Sequence, residues 1–598
     1  MKLSNLTRRV GISILGTTLI LLMSIGMITP AYSQMQPQSG GTLRVLYIQD
    51  PTTLNGLIKY WTFTRYINML VLNKLLKYDK DYNIIGDLAD SWTHSDDSKV
   101  WTFKLKNNVL WQDGVKFTSA DVKWYYQQIM IYKPYTYILL AGSDLKSIDT
   151  PDDYTVVFTF NQFASVLTFG LAGNGAGDGI IPKHIFDGTN MTTNPHNWMM
   201  IGTGPYTVQE YQRDKDIILT ANSNYFGGKP YLDKIIFTFQ RAAAAALLAL
   251  EAGDVDMVHE RPGMPAPELN RVNAIPGLTA GGYPYNVVWR LTVNWRDQAA
   301  AKYPWIRDIR VRQAISMSID RDTIVQKVLA YSMPSYGPVS PLSKNYYCDS
   351  CLTKNSFDLA KANALLDDAG YKKGSDGVRF RFPLIGYQSA MDKGIFQAVQ
   401  QQLRQVGIEI EMKPIDDTVF FSTYEVGPGA KDGLADYPLA LNTMIGGPEP
   451  DNMNWFAIPP PVGENSGFYP GRNGTVTQLW NTLSSTNDVT IRKQSIDEIQ
   501  RIITQDVGFI FLWHESYVFA WNSKLQNVLE SMKPVGYQSP TGLSTIWWGT
   551  AATSSATAAA TTTGAASAGP DMTTVAAIAV LAIVVIGAAI AIQRRKKT

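Results

Sequence analysis

The sequence predicts an α/β protein of more than one domain, and three observations predict it. Residues 34–549 form a 516-residue span between two apolar ends, too long for one hydrophobic core. Residues 379–414 read strand, helix, strand, with lengths that suit a parallel pair. Residues 75–111 instead alternate short apolar runs with polar turns, which predicts antiparallel sheet.

The elements follow in order. GTLRVLYI (41–48) is a strand, apolar on both faces, ended by Asp50-Pro51. VWTFKLK (100–106) is one of the antiparallel strands, and Ser119–Ile129 starts with a capping residue and reads as helix. Asp358 caps a helix with Leu359, Ala362, Leu365, Leu366 and Ala369 on one face and Gly370 at its end. Strand RFRFPLI (379–385) precedes a helix with Ile395, Phe396, Val399, Leu403 and Val406 on one face, stopped by Gly407. IEIEMKP (408–414) then alternates apolar and charged residues. DYPLALNTM (436–444) is a further strand, apolar up to Asn442. It runs into NTMIGGPEPDN (442–452), whose glycines and prolines exclude regular structure. Open α/β sheets bind ligands outside the carboxyl ends of their strands, which puts this loop at a ligand.

The ends are targeting and anchoring segments. Residues 1–33 have a basic start, an apolar run from Val10 to Ile28 and Ala31-Tyr32-Ser33 before Gln34, the pattern of a cleaved signal peptide. An uncleaved anchor is the second reading, since the run is nearly long enough to span a bilayer. Residues 550–570 lack charge and aromatics and read as a Ser/Thr/Ala-rich stalk. Residues 572–592 read as a transmembrane helix, and 593–598 as a basic tail that stays in the cytoplasm. The body is therefore expected outside the cell.

Without its ends the chain carries 46 basic against 50 acidic residues, a net charge of −4. Nothing in this balance points to nucleic acid. The five histidines lack H-E-x-x-H or H-x-H spacing, and no nucleophile elbow or phosphate loop occurs. No metal or cofactor is expected. Glycoside hydrolysis needs only two carboxylates, so Glu449, Asp451 and Glu515 stay candidates, against the plain reading of loop charge. Outside the cell Cys348 and Cys351 are expected to pair and to brace one turn. Sequons at Asn190 and Asn473 imply surface loops if glycosylated.

Several stretches together resemble one family. They are GGTLRVLYIQDPTTLN (40–55), LADSWTHSDDSKVWTFKLKNNVLWQDGVKFTSADVKW (88–124), IGTGPYTVQEY (201–211) and ANSNYFGGKPYLDKI (221–235). ALLALEAGDVDM (246–257), IRDIRVRQAISMSIDRDTIV (306–325) and FDLAKANALLDDAGY (357–371) follow in the same order. The chain resembles the family 5 solute-binding proteins of ABC importers, the oligopeptide/dipeptide type, over nearly all of 40–548. The resemblance implies a type II (cluster C) periplasmic-binding-protein-like clam-shell with an additional domain. It places lobe 1 at about 40–85, 205–290 and 520–548, the extra domain at about 86–204 and lobe 2 at about 291–519. It implies a binding protein rather than an enzyme, with importer permease and ATPase subunits as partners and a small oligomeric solute. C-terminal anchoring resembles archaeal members.

The ligand is left between two classes. Peptide binders of the family often carry W-x-A-D-Y in the second lobe, whose Asp pairs with the ligand's amino terminus. Here Ile445-Gly446-Gly447 takes that place, without an acid. Oligosaccharide binders use aromatic platforms and amides instead. The candidate ligand residues are Tyr47, Trp61, Tyr285, Trp289, Asn442, Met444, Gly446, Gly447, Trp455 and Trp513, with core packing the bland alternative for each Trp. A surface-layer or adhesion role fits the stalk but not the motifs.

Overall fold

A computed structural model of the chain describes residues 36–549, apart from 48–49, 52, 59–61, 80–82, 133–143, 166–178, 240–242, 261–265, 389–393, 417–418, 421–436, 447–452, 454–455, 457–468 and 533–541. The signal-peptide, stalk, membrane-helix and tail segments lie outside these residues. Among the described residues no helix is long and apolar enough to cross a membrane.

Strand β1 (Thr42–Tyr47) opens the fold, and β2 (Leu76–Tyr78) pairs with β3 (Ile84–Gly86) in a short hairpin. Strands β4 (Ala89–His94), β5 (Val100–Leu105), β6 (Leu145–Asp152) and β7 (Thr155–Phe160) make an antiparallel sheet of their own, ordered β4-β5-β7-β6. Alternation in VWTFKL sends Trp101, Phe103 and Leu105 inward, and Phe103 meets Phe158 edge-on at 5.8 Å. Helix Ser119–Tyr132 packs on this sheet. Its Asp121 carboxylate accepts from the Thr118 backbone N–H at 3.0 Å, which holds the first turn.

Strands β8 (Tyr206–Gln212), β9 (Asp216–Ala221) and β10 (Lys234–Phe239) form a meander that joins β1, and β11 (Met257–Glu260) pairs on the other side of β1. Then come β12 (Leu278–Val293), β13 (Met333–Pro334), β14 (Phe380–Tyr387), β15 (Ile408–Ile415), β16 (Leu439–Ile445) and β17 (Phe509–Asn522). A last pair, β18 (Leu525–Gln526) and β19 (Trp547–Trp548), closes the body. The main sheet runs β15-β14-β16-β12-β17-β11-β1-β10-β9-β8, with β13 added beside β17.

The strand–helix–strand unit forms for the reasons its sequence supplies. β14 and β15 are parallel, with Phe380 opposite Ile408, and helix Ile395–Gln405 crosses between them. Ile395, Phe396, Val399, Leu403 and Val406 are all buried. Gly407 turns the chain at φ +80°, a conformation that suits glycine. The Asp358 carboxylate accepts from Lys361 N–H at 2.8 Å, and helix Leu359–Asp368 buries Ala362 and Leu366.

Strands β12 and β17, with 16 and 14 residues, are longer than one packed layer needs. Each serves two halves of the sheet. Leu278–Pro284 pairs with Ser516–Asn522, next to β11 and β1. Val287–Val293 pairs with β16, and Val288–Thr292 also pairs with the first half of β17. Separate cores lie against each half. Leu43, Val45, Tyr47, Tyr285 and Tyr517 share one cluster, which continues into the four-stranded sheet. Trp289, Leu291, Leu384, Ile408 and Trp513 belong to another.

Two sequence expectations change here. Asn442–Ile445, read as the start of an irregular loop, is strand, because β14 and β12 flank β16 and satisfy its backbone. Asn473 lies in the first turn of helix Gly471–Ser484 rather than in a loop, whereas Asn190 is an exposed loop residue.

Candidate functional site

The topology defines where a ligand would meet the sheet. The parallel strands of the first half, β1, β10 and β11, end at Tyr47, Phe239 and Glu260. Those of the second half, β14, β15 and β16, end at Tyr387, Ile415 and Ile445. Both sets of carboxyl ends converge on the middle of β12 and β17. Glu260 is opposite Val518, and Ile445 is opposite Val287, whose neighbour Val288 is opposite His514.

At that point the ladder breaks. Between Pro284–Ser516 and Val288–His514, β12 advances four residues while β17 advances two. The extra residues bulge, as happens where a strand must re-aim its side chains. Tyr285, Asn286 and Val287 are the bulged stretch, facing Glu515. Along β17, Trp513, Glu515 and Tyr517 alternate onto one face. Trp513 packs in the second-half core and Tyr517 in the first-half core. Glu515 therefore stands at the junction of the two cores, and its side chain is buried.

Tyr285 and Tyr517 pack with ring centroids 4.4 Å apart. Tyr47, at the end of β1, meets Phe237 edge-on at 6.0 Å. Asn286 Oδ1 and Trp513 Nε1 are buried here without a hydrogen-bond partner among the described residues. One accepts and the other donates, so a bound solute could answer both.

The opposite face of β17 is held rigidly. Ser335 Oγ donates to Gly337 O at 2.8 Å and lies 3.1 Å from His514 Nε2. Burial pushes the His514 pKa down to about 3, opposed by a backbone hydrogen bond at Val287. The ring is therefore neutral near pH 7. Ser516 Oγ donates to Ala330 O at 2.5 Å.

The candidate ligand residues divide clearly. Tyr47 and Tyr285 lie at the junction. Trp289 and Trp513 stack on each other at 6.0 Å in the second-half core. Met444 is buried in a third cluster with Val288 and Phe456. The Asn442 amide oxygen accepts from Thr292 Oγ at 2.7 Å within the ladder. Gly446 N–H donates to Asn286 O at 2.8 Å, and a Cβ on Gly446 would lie 2.7 Å from that same oxygen. Trp61, Gly447 and Trp455, with Glu449 and Asp451, lie outside the described residues. Cys348 and Cys351 are joined by a disulfide, with Asp497 beside them. Asn286 and His514 were not among the sequence candidates. Both sit in near-continuous apolar runs, where period-2 alternation is lost.

The model of bacterial extracellular solute-binding proteins, family 5, matches residues 83–457. The chain belongs to this family. The oligopeptide-binding protein AppA of Bacillus subtilis is 28% identical over 515 residues, which cover 82% of this chain and 89% of that protein. Its structure in complex with a nonapeptide superposes with a TM-score of 0.67 at 25% identity, covering 86% of this chain and 100% of that one. The ABC transporter substrate-binding protein CtaP of Listeria monocytogenes gives a TM-score of 0.71 at 25% identity, over 86% of this chain and 100% of that one. The fold is thus the two-lobe type II arrangement. β12 and β17 run through both halves of its main sheet.

Proposed function

We propose that the chain is the extracellular solute-capturing component of an ABC importer and that its ligand is an oligopeptide. Lobe closure around the solute presents the closed form to the permease and ATPase subunits, driven by tighter binding to the closed state. No covalent step is involved. Residues 572–592 anchor the body beside its transporter and raise its effective concentration there.

What carries the peptide reading is the family match with AppA, an oligopeptide-binding protein whose structure holds a nonapeptide, and Glu515 is the acid assigned here to the amino terminus. A carboxylate buried between the lobes suits an ammonium group, and a peptide's amino terminus brings one. Asn286 Oδ1 and Trp513 Nε1 then match a peptide's N–H and C=O groups. Glu515 supplies from the crossing strand the acid that Ile445-Gly446 lacks. Tyr47 and Tyr285 add flat apolar surface. An oligosaccharide could also use the aromatic surface, but it has no amino terminus.

Calorimetry of the full chain against tri- to pentapeptides and against cello- and malto-oligomers tests this. Heat with peptides alone is expected, and heat with sugars alone would overturn the peptide assignment.

A further inference from the structure

One buried cation in lobe 2 has no acid beside it. Arg321, in helix Arg321–Lys327, is 2% exposed. Its Nε donates to Phe511 O at 2.8 Å, and its Nη1 to Ser316 O at 3.0 Å and Ile319 O at 3.2 Å. Nη2 donates to Ser316 Oγ at 2.9 Å, and the guanidinium lies 4.7 Å from the centre of the Tyr336 ring. Among the described residues no carboxylate pairs with it. The acid whose field reaches it is its exposed neighbour Asp322. Arg312, also buried, differs in having Asp506 and Asp308 to offset its charge. Burial lowers the Arg321 pKa to about 10, so the group stays charged at neutral pH. An uncompensated buried charge is costly, and carbonyl dipoles offset only part of that cost.

A cavity adjoins this cation, with about 10 Å³ of room for the centre of a water-sized guest. Arg321, Tyr336, Thr353, Asn355 and Thr504 contribute to its wall. Thr504 Oγ is already committed, donating to Gln500 O and accepting from Thr353 N–H. The Asn355 side chain is different. The residue is 7% exposed and is among those lining the cavity, and no described residue hydrogen-bonds its amide. A guanidinium has five N–H groups, and the four contacts above leave one on Nη2.

We propose that this cavity binds one small inorganic anion of halide size, held by Arg321 Nη2 and the Asn355 amide. So small a space favours a monatomic anion over phosphate, sulfate or a carboxylate, and chloride is the abundant anion of that kind outside cells. The anion would join three parts of lobe 2: the segment after the Cys348–Cys351 disulfide, the start of helix Arg321–Lys327, and the Phe509–Phe511 stretch of β17. That stretch leads straight to Trp513 and Glu515. The site is separate from the solute site and stands whether or not the ligand is a peptide.

The test uses the full chain in detergent. Crystals grown in bromide should show an anomalous peak within hydrogen-bonding reach of both Arg321 and Asn355. A water there without an anomalous peak would overturn the proposal. Replacing gluconate by chloride at constant ionic strength should raise Tm by about 1–3 °C for each tenfold excess over the dissociation constant. Asn355→Leu should abolish that rise while keeping the wild-type circular dichroism spectrum. An equal rise in Asn355→Leu would refute the assigned ligands, and the bromide result on the wild type stands if the variant does not fold.

Discussion

Gly446 gives the sharpest structural prediction. The family resemblance implies that peptide binders often carry an acid in this stretch, so installing one here looks like a simple gain of amine selectivity. The geometry argues otherwise. Gly446 N–H donates to Asn286 O at 2.8 Å, and a Cβ would sit 2.7 Å from that oxygen and 3.5 Å from the Asn286 Cβ. The obstacle is backbone of the bulge, not the tip of a flexible side chain. Relieving it means moving β16 away from β12 by about half an ångström or lengthening the hydrogen bond. Overpacking of this kind costs about 1–3 kcal/mol, and a weakened hydrogen bond adds about 1 kcal/mol. Gly446→Ala should therefore lose about 2–4 kcal/mol, and Gly446→Asp at least as much, with weaker binding of every solute. Urea unfolding followed by tryptophan fluorescence reads this directly. A Gly446→Ala midpoint within about 0.5 kcal/mol of wild type, with solute affinity unchanged, would refute the assignment of Gly446 as a packing point against the bulge.

Two further predictions concern pH and redox state. The His514 pKa is lowered in the folded chain, so its stabilising effect is full above the unfolded value of about 6.5 and is lost as pH falls. With a folded pKa of about 3, stability should fall by about 1.5–2 kcal/mol between pH 6.5 and 5 on this group's account. His514→Asn should remove that part of the slope in urea titrations at the two pH values; an unchanged slope would contradict the buried neutral ring. Reducing the Cys348–Cys351 bond should cost at most about 2 kcal/mol, because it closes a very short loop, and should leave solute affinity within about twofold. Calorimetry with and without reductant checks it, and loss of binding would mean the bond shapes the site.

Much of the fold was legible because its local signals agree. Asp358 as cap, Gly407 as stop and the apolar stripe Ile395–Val406 all mark the strand–helix–strand unit of lobe 2. The crossing strands were not legible. Leu278–Val293 and Phe509–Asn522 are buried on both faces, so polar and apolar residues do not alternate along them. Their unusual length was the remaining signal. The candidate site is assigned to those strands, so no alternation in the sequence points to Asn286 or His514. Trp289 and Trp513 drew attention as aromatic platforms, yet each stacks on the other within a core. Burial of that kind depends on partners more than 200 residues away and leaves no local trace. Glu515 was visible as an acid, but only the alternation of β17 between two cores gives it a place.

The most direct test of the account is the amine dependence of peptide binding. Calorimetry should compare free tri- to pentapeptides with the same peptides N-acetylated, on wild type and on Glu515→Gln. Removing one partner of a buried charged pair costs about 2–5 kcal/mol, so acetylation should weaken binding by at least about thirtyfold in the wild type. In Glu515→Gln the free peptides should lose a similar factor, and acetylation should matter little. Equal affinity for free and acetylated peptides in the wild type would contradict the central claim that Glu515 receives the amino terminus of an oligopeptide.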